Sequence, residues 1–406
     1  MFSACLFGES HYEQRINKIS HLSSFTSYGK HLYFGGGDHL YRIDTSTPSI
    51  ETIFTTDRAM VDQPLIADGV AYFGVNAHVD QKGRIGEPSG FFAVALQSRT
   101  ALWKFTFEDG GYGGYGVPPA IADNRILIYG TNLHYLDRES GKELWKVNNE
   151  FLSNNQGTTL PYVYKGNAYF ENLSFVKDVY TRDGQWSKVA FDGGQREPIS
   201  SFTGTSGEHV KIRGHGIGTL VDGIIYVTFS YHDDSYLTTH FGAVDLENRK
   251  LLWEAQGSGL RTRPIVNDKL VFTIRENAIQ ALERQTGKVV WSDPLGEMEV
   301  INEEQPAKRR WQEYAASWAR RLAATREMVI VQGSQGIAAR EAATGQLLWT
   351  VKIESEYSDV EPLIVRQLVI TSHIKDCSVI ALDPRTGKEV WRIKVPDCNS
   401  YYINRS

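Results

Sequence analysis

Short apolar runs interrupted by a polar pair recur along this chain. Ile66-Ala67-Asp68-Gly69-Val70-Ala71-Tyr72-Phe73 and Leu220-Val221-Asp222-Gly223-Ile224-Ile225-Tyr226-Val227 share one pattern. Ala122-Asp123-Asn124-Arg125-Ile126-Leu127-Ile128 and Val266-Asn267-Asp268-Lys269-Leu270-Val271-Phe272 repeat it with another turn pair. β-Branched and aromatic residues favour strands, while Asp-Gly and Asn-Asp accept the positive φ of a tight turn, so each segment predicts a β-hairpin. A proline stands a few residues upstream in most copies: Pro64, Pro119, Pro161, Pro264 and Pro362.

A second pattern follows each hairpin. Leu136-Asp137-Arg138-Glu139-Ser140-Gly141-Lys142-Glu143-Leu144-Trp145 aligns with Leu382-Asp383-Pro384-Arg385-Thr386-Gly387-Lys388-Glu389-Val390-Trp391. Leu282-Glu283 running to Gly287 and Trp291, and Arg340-Glu341 running to Gly345 and Trp349, carry Glu for Asp. A fifth copy runs from Val244-Asp245 to Trp253, and a looser sixth from Val94-Ala95 to Trp103. Six of the nine tryptophans thus occupy one repeat position. One unit reads as four antiparallel strands in roughly 40 residues, the size of a propeller blade. An indole on the outer strand would fill the wedge between neighbouring blades, and the glycine would permit a left-handed turn. A two-sheet sandwich of tandem hairpins makes no such demand for a tryptophan at a fixed place, which favours the propeller.

The string Ala381-Leu382-Asp383-x-x-Thr386-Gly387-Lys388-x-x-Trp391 resembles the pyrroloquinoline-quinone-like repeat. That family includes quinoprotein dehydrogenases and the propeller lipoprotein of the outer-membrane assembly machinery. The resemblance implies an all-β chain folded over residues 1–406 as a single β-propeller of about eight four-stranded blades. The first unit keeps Leu40-Tyr41-Arg42-Ile43-Asp44 but has no tryptophan, and the fourth keeps only a hairpin at Asn167 and a turn at Asp192-Gly193-Gly194. Seven blades would result if the first and last segments shared one. The dehydrogenases of the family resemble one another in a vicinal cysteine pair and a calcium site. Here Cys5, Cys377 and Cys398 are all separate, which implies that the quinone cofactor is absent. Neither a Gly-x-Ser-x-Gly elbow nor a His-Glu-x-x-His pair occurs, so no catalytic, cofactor or metal residue is assigned and the expectation is a protein without catalysis.

Departures from the repeat are the informative places, because propellers carry recognition on their connecting loops. The largest is an insertion at 294–326, where Trp311, Tyr314, Ala315, Trp318 and Leu322 fall on one helical stripe and Arg321 belongs to the basic face opposite. This predicts an amphipathic helix that either covers the propeller's own apolar surface or docks a partner. Asp109-Gly110-Gly111-Tyr112-Gly113-Gly114-Tyr115-Gly116 lacks the Gly-Lys-Ser/Thr of a phosphate loop. It reads as a long turn in which Tyr112 and Tyr115 offer contact area to a partner. His232, Asp233 and Tyr236 lie in a further polar loop, Tyr231 to His240, whose spacing matches no metal motif. Similar loops at Asn76–Asp80 and Glu208–His215 would add His and Asp side chains if all projected from one rim.

Composition narrows the function. Hydrophobic residues make up 41% and charged residues 22%, as in soluble globular proteins. A net charge of −5 does not supply the positive field that nucleic-acid binding needs. No apolar run is long enough to cross a bilayer. The segment Met1 to Glu9 lacks the basic and apolar regions of an export signal, and the three cysteines show neither a disulfide framework nor metal-ligand spacing. The expected protein is a cytoplasmic, protein-binding propeller. It is either a scaffold similar to the outer-membrane assembly propeller or an immunity protein that neutralises a bacterial toxin. The competing expectation is a small-molecule binder or hydrolase that uses the central channel.

Overall fold

Turn chemistry sets the strand boundaries in the computed structural model. It describes residues 22–60, 63–77, 88–108, 119–129, 132–147, 161–176, 179–193, 196–231, 239–256, 263–275, 278–294, 321–333, 336–353, 360–373 and 376–396. Asp68 and Gly69 take φ of 50° and 76° between the strands Leu65–Ala67 and Val70–Val75. Asp222 and Gly223 repeat this at 54° and 82°. Each hairpin is extended by two more strands into an antiparallel meander, as in Thr26–Tyr28, His31–Gly36, His39–Asp44 and Ser49–Thr55.

Eight such sheets follow one another, spanning 26–55, 65–106, 120–147, 162–199, 212–256, 265–294, 321–352 and 363–394. The fifth is widened on its outer edge by the hairpin Phe202–Thr203 and His209–Val210, where Thr203 pairs in parallel with Lys250. No helix occurs among the described residues. First strands of successive blades meet near the axis: Gln63 Nε2 donates to Phe25 O (2.8 Å), and Thr219 Oγ1 donates to Pro264 O.

The apolar core is divided among the seams between blades. Tyr33 and Leu40 of the first blade pack with Phe73 and Phe92 of the second. Further clusters fill each following seam, as with Trp186 and Phe202 between blades four and five. The last cluster joins Ile370 and Val379 to Phe34 and Tyr41 and closes the ring. Blade one is built entirely from N-terminal strands and blade eight from C-terminal ones, so the ring has eight blades and not the seven that a shared blade would give.

The repeated tryptophans lock these seams, each against the next blade's turn. Trp103, Trp253, Trp291 and Trp349 donate from Nε1 to the carbonyls of Arg138 (2.9 Å), Arg284 (3.0 Å), Ala342 (2.8 Å) and Pro384 (2.7 Å). Their rings lie on Gly141, Gly287, Gly345 and Gly387, where an added Cβ would come within 2.3–2.7 Å of indole carbons. Where the turn motif decays, the lock weakens: Trp145 and Trp391 have no partner for Nε1 among the described residues. A second clamp repeats beside it. Arg138 donates to Tyr72 OH (3.0 Å) and Asp68 Oδ2 (2.6 Å), and Arg284 donates to Tyr226 OH (2.9 Å) and Asp222 Oδ2 (2.7 Å).

The turn aspartates cap their own loops. Asp383 accepts Thr386 Oγ1 (2.8 Å), Thr386 N (2.8 Å) and Arg385 N (3.0 Å). The Thr386 hydroxyl and these amides hold its carboxyl below the ordinary range. A folded-state pKa depressed in this way adds stability above the unfolded value near ~3.9, which is lost as pH falls through the folded pKa. Asp383→Asn is therefore expected to melt lower than the parent at pH 7, and the gap is expected to close as the pH is taken below ~4. A melting series from pH 7 to 3 checks this, and a constant gap across the series would count against it.

Candidate protein-binding face

Strand direction sorts the connections onto two faces. In a four-stranded meander, the first-to-second and third-to-fourth turns share one end. The second-to-third connections and the links between blades share the other. The first end is a turn face, made of the repeated hairpin turns and the Thr-Gly turns described above. The second is a loop face.

Three of the departures noted in the sequence attach to the loop face, whereas the stretch Glu208–His215, expected as a loop, supplies the outer-edge strand His209–Val210 and the start of Ile212–Val221. Residues 109–118 join Thr100–Thr106 to Ala120–Ala122, residues 232–238 join Ile224–Tyr231 to His240–Asp245, and residues 295–320 join Val289–Pro294 to Arg321–Ala324. Tyr112, Tyr115, His232, Asp233, Tyr236, Trp311, Tyr314 and Trp318 themselves lie outside the described residues. Their flanking strands end on the same face, on blades two and three, five, and six and seven.

Two expectations about the insertion are corrected. Arg321 belongs to an inner strand and pairs with Gln332, and Leu322, the last residue of the expected helical stripe, is 3% exposed and packs with Phe272 and Trp291. Pro294 ends a strand of blade six, so the stretch between strands is 295–320 and not 294–326. The reason is local ambiguity. A single apolar residue at the end of a stripe fits a period of 2 as well as 3.6, and pairing with Met328–Gly333 selects the strand.

Blade four contributes a feature that the repeat pattern did not reveal. Its central strands, Asn167–Val176 and Val179–Ala190, pair all the way to Val176↔Val179. The inner strand stops pairing at Tyr169 and the outer one at Trp186, so the hairpin continues past its own blade on the loop face. Blade five braces its base: Gly214 N donates to Glu171 Oε2 (3.0 Å), and Trp186 Nε1 donates to Ile212 O (3.0 Å). The signal was present in the apolar alternation of Tyr169-Phe170-Glu171-Asn172-Leu173-Ser174-Phe175-Val176, read as a hairpin but not as a long one.

Ionisable groups on this face are tied to one another. In blade five, Tyr231 OH donates to Glu254 Oε2 (2.7 Å), and His240 Nδ1 lies 3.0 Å from the same oxygen while its ring stacks on Phe229. In blade eight, Asp376 receives Ser378 Oγ (2.5 Å) and Arg392 Nη1 (2.8 Å), with His373 Nδ1 at 2.8 Å. Burial pushes the Asp376 carboxyl up, but the Ser378 and His373 hydrogen bonds and the adjacent charges outweigh it and hold it below the usual range. Thr371 Oγ1 donates to Gln332 Oε1 (2.7 Å) across the seam of blades seven and eight. Ahead of the first strands of blades six and eight, Arg263 Nη1 lies 3.6 Å from Glu361 Oε2. Among the described residues no three His, Cys, Asp or Glu side chains gather as metal ligands. The arrangement presents a polar rim on the ring, on which the Asp376 carboxylate is kept ionised by its neighbours.

The sequence expectation of no disulfide is corrected as well: Cys377, in the second-to-third turn of blade eight, is disulfide-bonded.

Comparison with known proteins places this architecture. A model of the family described as outer membrane protein assembly factor BamB matches residues 92–234, 218–293 and 297–399. BamB from Moraxella catarrhalis superposes with a TM-score of 0.55 at 10% identity, over 89% of this chain and 91% of its own. A quinohemoprotein alcohol dehydrogenase from Pseudomonas putida gives 0.55 at 12% identity, over 83% of this chain and 66% of its own. A europium-containing methanol dehydrogenase gives 0.57 at 13%, over 83% and 79%. At such identities the likeness is one of fold. The 1-butanol dehydrogenase (quinone) of Thauera butanivorans is 34% identical over 102 residues, which is 22% of this chain and spans 15% of that enzyme's length.

Proposed function

The chain belongs to the family of the outer membrane protein assembly factor BamB, and from that premise we propose that it is a non-catalytic propeller whose loop face docks another protein within an assembly. The observation that carries this reading is the difference between the faces. The turn face is closed by short, internally bonded turns, whereas the loop face carries the long connections and the braced hairpin of blade four. A rigid ring that offers loops from several blades covers a broad area with little ordering cost.

Two versions differ in the partner. An assembly scaffold is favoured by the family match; neutralisation of a toxin by a cytoplasmic immunity protein rests on the bacterial-type repeat, the export-signal reading of the first residues and the irregular loops taken together. A second reading, a ligand-binding or catalytic channel, draws support from the local match to a quinone dehydrogenase.

The test is affinity capture of the tagged full chain from its native cells. It is run beside Trp311→Ala with Trp318→Ala, Tyr112→Ala with Tyr115→Ala, and a turn-face control, Lys165→Ala. One stoichiometric protein partner is expected. At least one loop-face pair is expected to recover it about tenfold less well, since truncating a central aromatic anchor costs over ~1 kcal/mol. Recovery that falls only in the control would overturn the assignment of the face. Sharp thermal stabilisation by calcium with pyrroloquinoline quinone, and no partner, would favour the channel.

A further inference from the structure

Five Asp-Gly steps occur in this chain, at 68–69, 109–110, 183–184, 192–193 and 222–223. Such steps are chemically labile for a general reason. Glycine has no side chain to shield its amide nitrogen, which can then attack the carboxyl of the residue before it. Asp109 lies outside the described residues, and Asp183-Gly184 falls within the strand Val179–Ala190. The other three are turns of the turn face, and the ring treats them differently. Arg138 Nη2 donates to Asp68 Oδ2 (2.6 Å), and its guanidinium is oriented by the bond from Nε to Tyr72 OH (3.0 Å). Arg284 holds Asp222 Oδ2 (2.7 Å) and Tyr226 OH (2.9 Å) in the same way. Burial does not protect these two carboxylates, whose side chains are 81% and 75% exposed. Asp192, in the third-to-fourth turn of blade four, is exposed too, and its carboxylate has no hydrogen bond or ion pair among the described residues.

We propose that Asp192-Gly193 is a site of spontaneous aspartyl isomerisation, and that the arginine clamps shield Asp68-Gly69 and Asp222-Gly223 from the same reaction. Gly193 N attacks Cγ of Asp192 and a new C–N bond closes a five-membered imide. One carboxylate oxygen leaves as water, taking the amide proton and one proton from solvent. Water then breaks the bond between Gly193 N and the main-chain carbonyl carbon of Asp192, and the chain runs on through Cγ. The water lost is regained, so the composition is unchanged and no oxidant or reductant takes part. A guanidinium on Oδ2 opposes the first step, because the carboxyl must give up a charge-assisted bond before it can turn to the glycine nitrogen. The unclamped site lies where the change is felt. A Cβ on Gly193 would lie 3.5 Å from Cδ1 and Nε1 of Trp145, whose ring stacks on Tyr135 with centroids 3.6 Å apart. Tyr135 in turn meets Phe191, beside Asp192, edge-on at 4.9 Å. A β-linked residue adds one methylene to the backbone of this turn, under an indole whose Nε1 has no partner among the described residues. Isomerisation therefore loosens the seam between blades three and four, and it leaves a free α-carboxylate of the class that carboxyl methyltransferases for β-linked aspartate accept. The inference rests on the fold and is independent of the proposed docking role.

In the experiment the full chain is held at neutral pH for several weeks beside a portion unfolded in guanidinium. β-Linked aspartate is then mapped by peptide fragmentation that separates the two linkages. Each site's rate in the folded protein is divided by its own rate in the unfolded chain, which removes the effect of neighbouring residues. The ratio at Asp192 is expected to exceed those at Asp68 and Asp222 by about fivefold or more, the rate equivalent of one well-placed surface ion pair. Arg284→Gln is expected to raise the ratio at Asp222 several-fold and to leave Asp68 unchanged, and Arg138→Gln is expected to do the reverse. Protein enriched in the isomerised form is expected to exchange amide protons faster in Leu133–Asp137 of blade three and at the parent rate in Leu270–Arg275 of blade six. Equal ratios at the three sites, or no rise at Asp222 in folded Arg284→Gln, would overturn the proposal. Unchanged exchange in Leu133–Asp137 would overturn the loosening of the seam. Exchange in Leu368–His373, away from both clamps, shows whether the variants fold. If neither accumulates, the three ratios in the parent decide alone.

Discussion

Trp253→Ala is expected to lower the unfolding free energy by about 3–5 kcal/mol, the range for deleting a buried indole that its surroundings cannot refill. The side chain is 5% exposed and fills the seam between blades five and six, with ring centroids 6.1 Å from Tyr226 and 6.0 Å from Phe241. Its removal also strips the Arg284 carbonyl of the indole N–H that it accepts at 3.0 Å, worth about 1 kcal/mol more. Trp391 offers the contrast at the closing seam. It is only half buried, and its Nε1 has no partner among the described residues. The corresponding turn of blade one, Asp44 to Ser49, carries Thr47-Pro48 in place of Thr-Gly. Trp391→Ala is expected to cost about 1–2 kcal/mol less than Trp253→Ala. Denaturant midpoints of the two variants decide it, and equal losses would show that the shared turn contact contributes nothing at this position.

Gly287→Ala should rank next, with a loss of about 2–5 kcal/mol from two separable causes. The residue has φ of 70°, where an alanine is strained by roughly 1–2 kcal/mol. Its new Cβ would also lie 2.3 Å from Cε3 of Trp253, closer than van der Waals contact permits. Gly29 separates the two effects, because it has φ of 59° and nothing within 4 Å of an added Cβ. Gly29→Ala should show the backbone cost alone. Combining Gly287→Ala with Trp253→Ala should remove the steric part, so that the second substitution costs only about 1–2 kcal/mol in that background. Additive losses in this double-mutant cycle would mean that the glycine is required by the backbone and not by the indole above it.

These two residues show why so much of the architecture was legible. The Trp253 and Gly287 positions belong to repeated strings, and the glycine's left-handed conformation is a property of the turn itself. Their partnership was legible only as a general expectation that indoles fill wedges. Which carbonyl each indole finds, and which of them finds none, depends on the neighbouring blade. Arg138 and Arg284 make the point more sharply. Both follow the turn acid, and Asp68 with Tyr72 and Asp222 with Tyr226 share one spacing, yet the clamp joins residues 58 to 70 positions apart. Leu322 misled for the opposite reason: its apolar character was read correctly, but the period it belonged to was not.

The candidate docking face was partly legible too. Each loop was found as a break in the repeat, but nothing in one loop says where another will emerge. The alternation of strand direction within a blade puts them on one side, and the ring then brings blades two to seven around a common rim. The length of the blade-four hairpin became clear only from its pairing to Val176↔Val179 and its brace at Trp186.

The sequence by itself determined the class of the fold, the size of its unit and the chemistry of its turns, because a two-residue period and the φ preference of Asp-Gly are local properties of the chain. Only the tertiary structure decided that there are eight blades, that Tyr41 meets Pro396 across 355 positions, and that Cys377 is not a free thiol. Ring closure is a contact between the two ends of the described chain, and no local pattern encodes where those ends will meet.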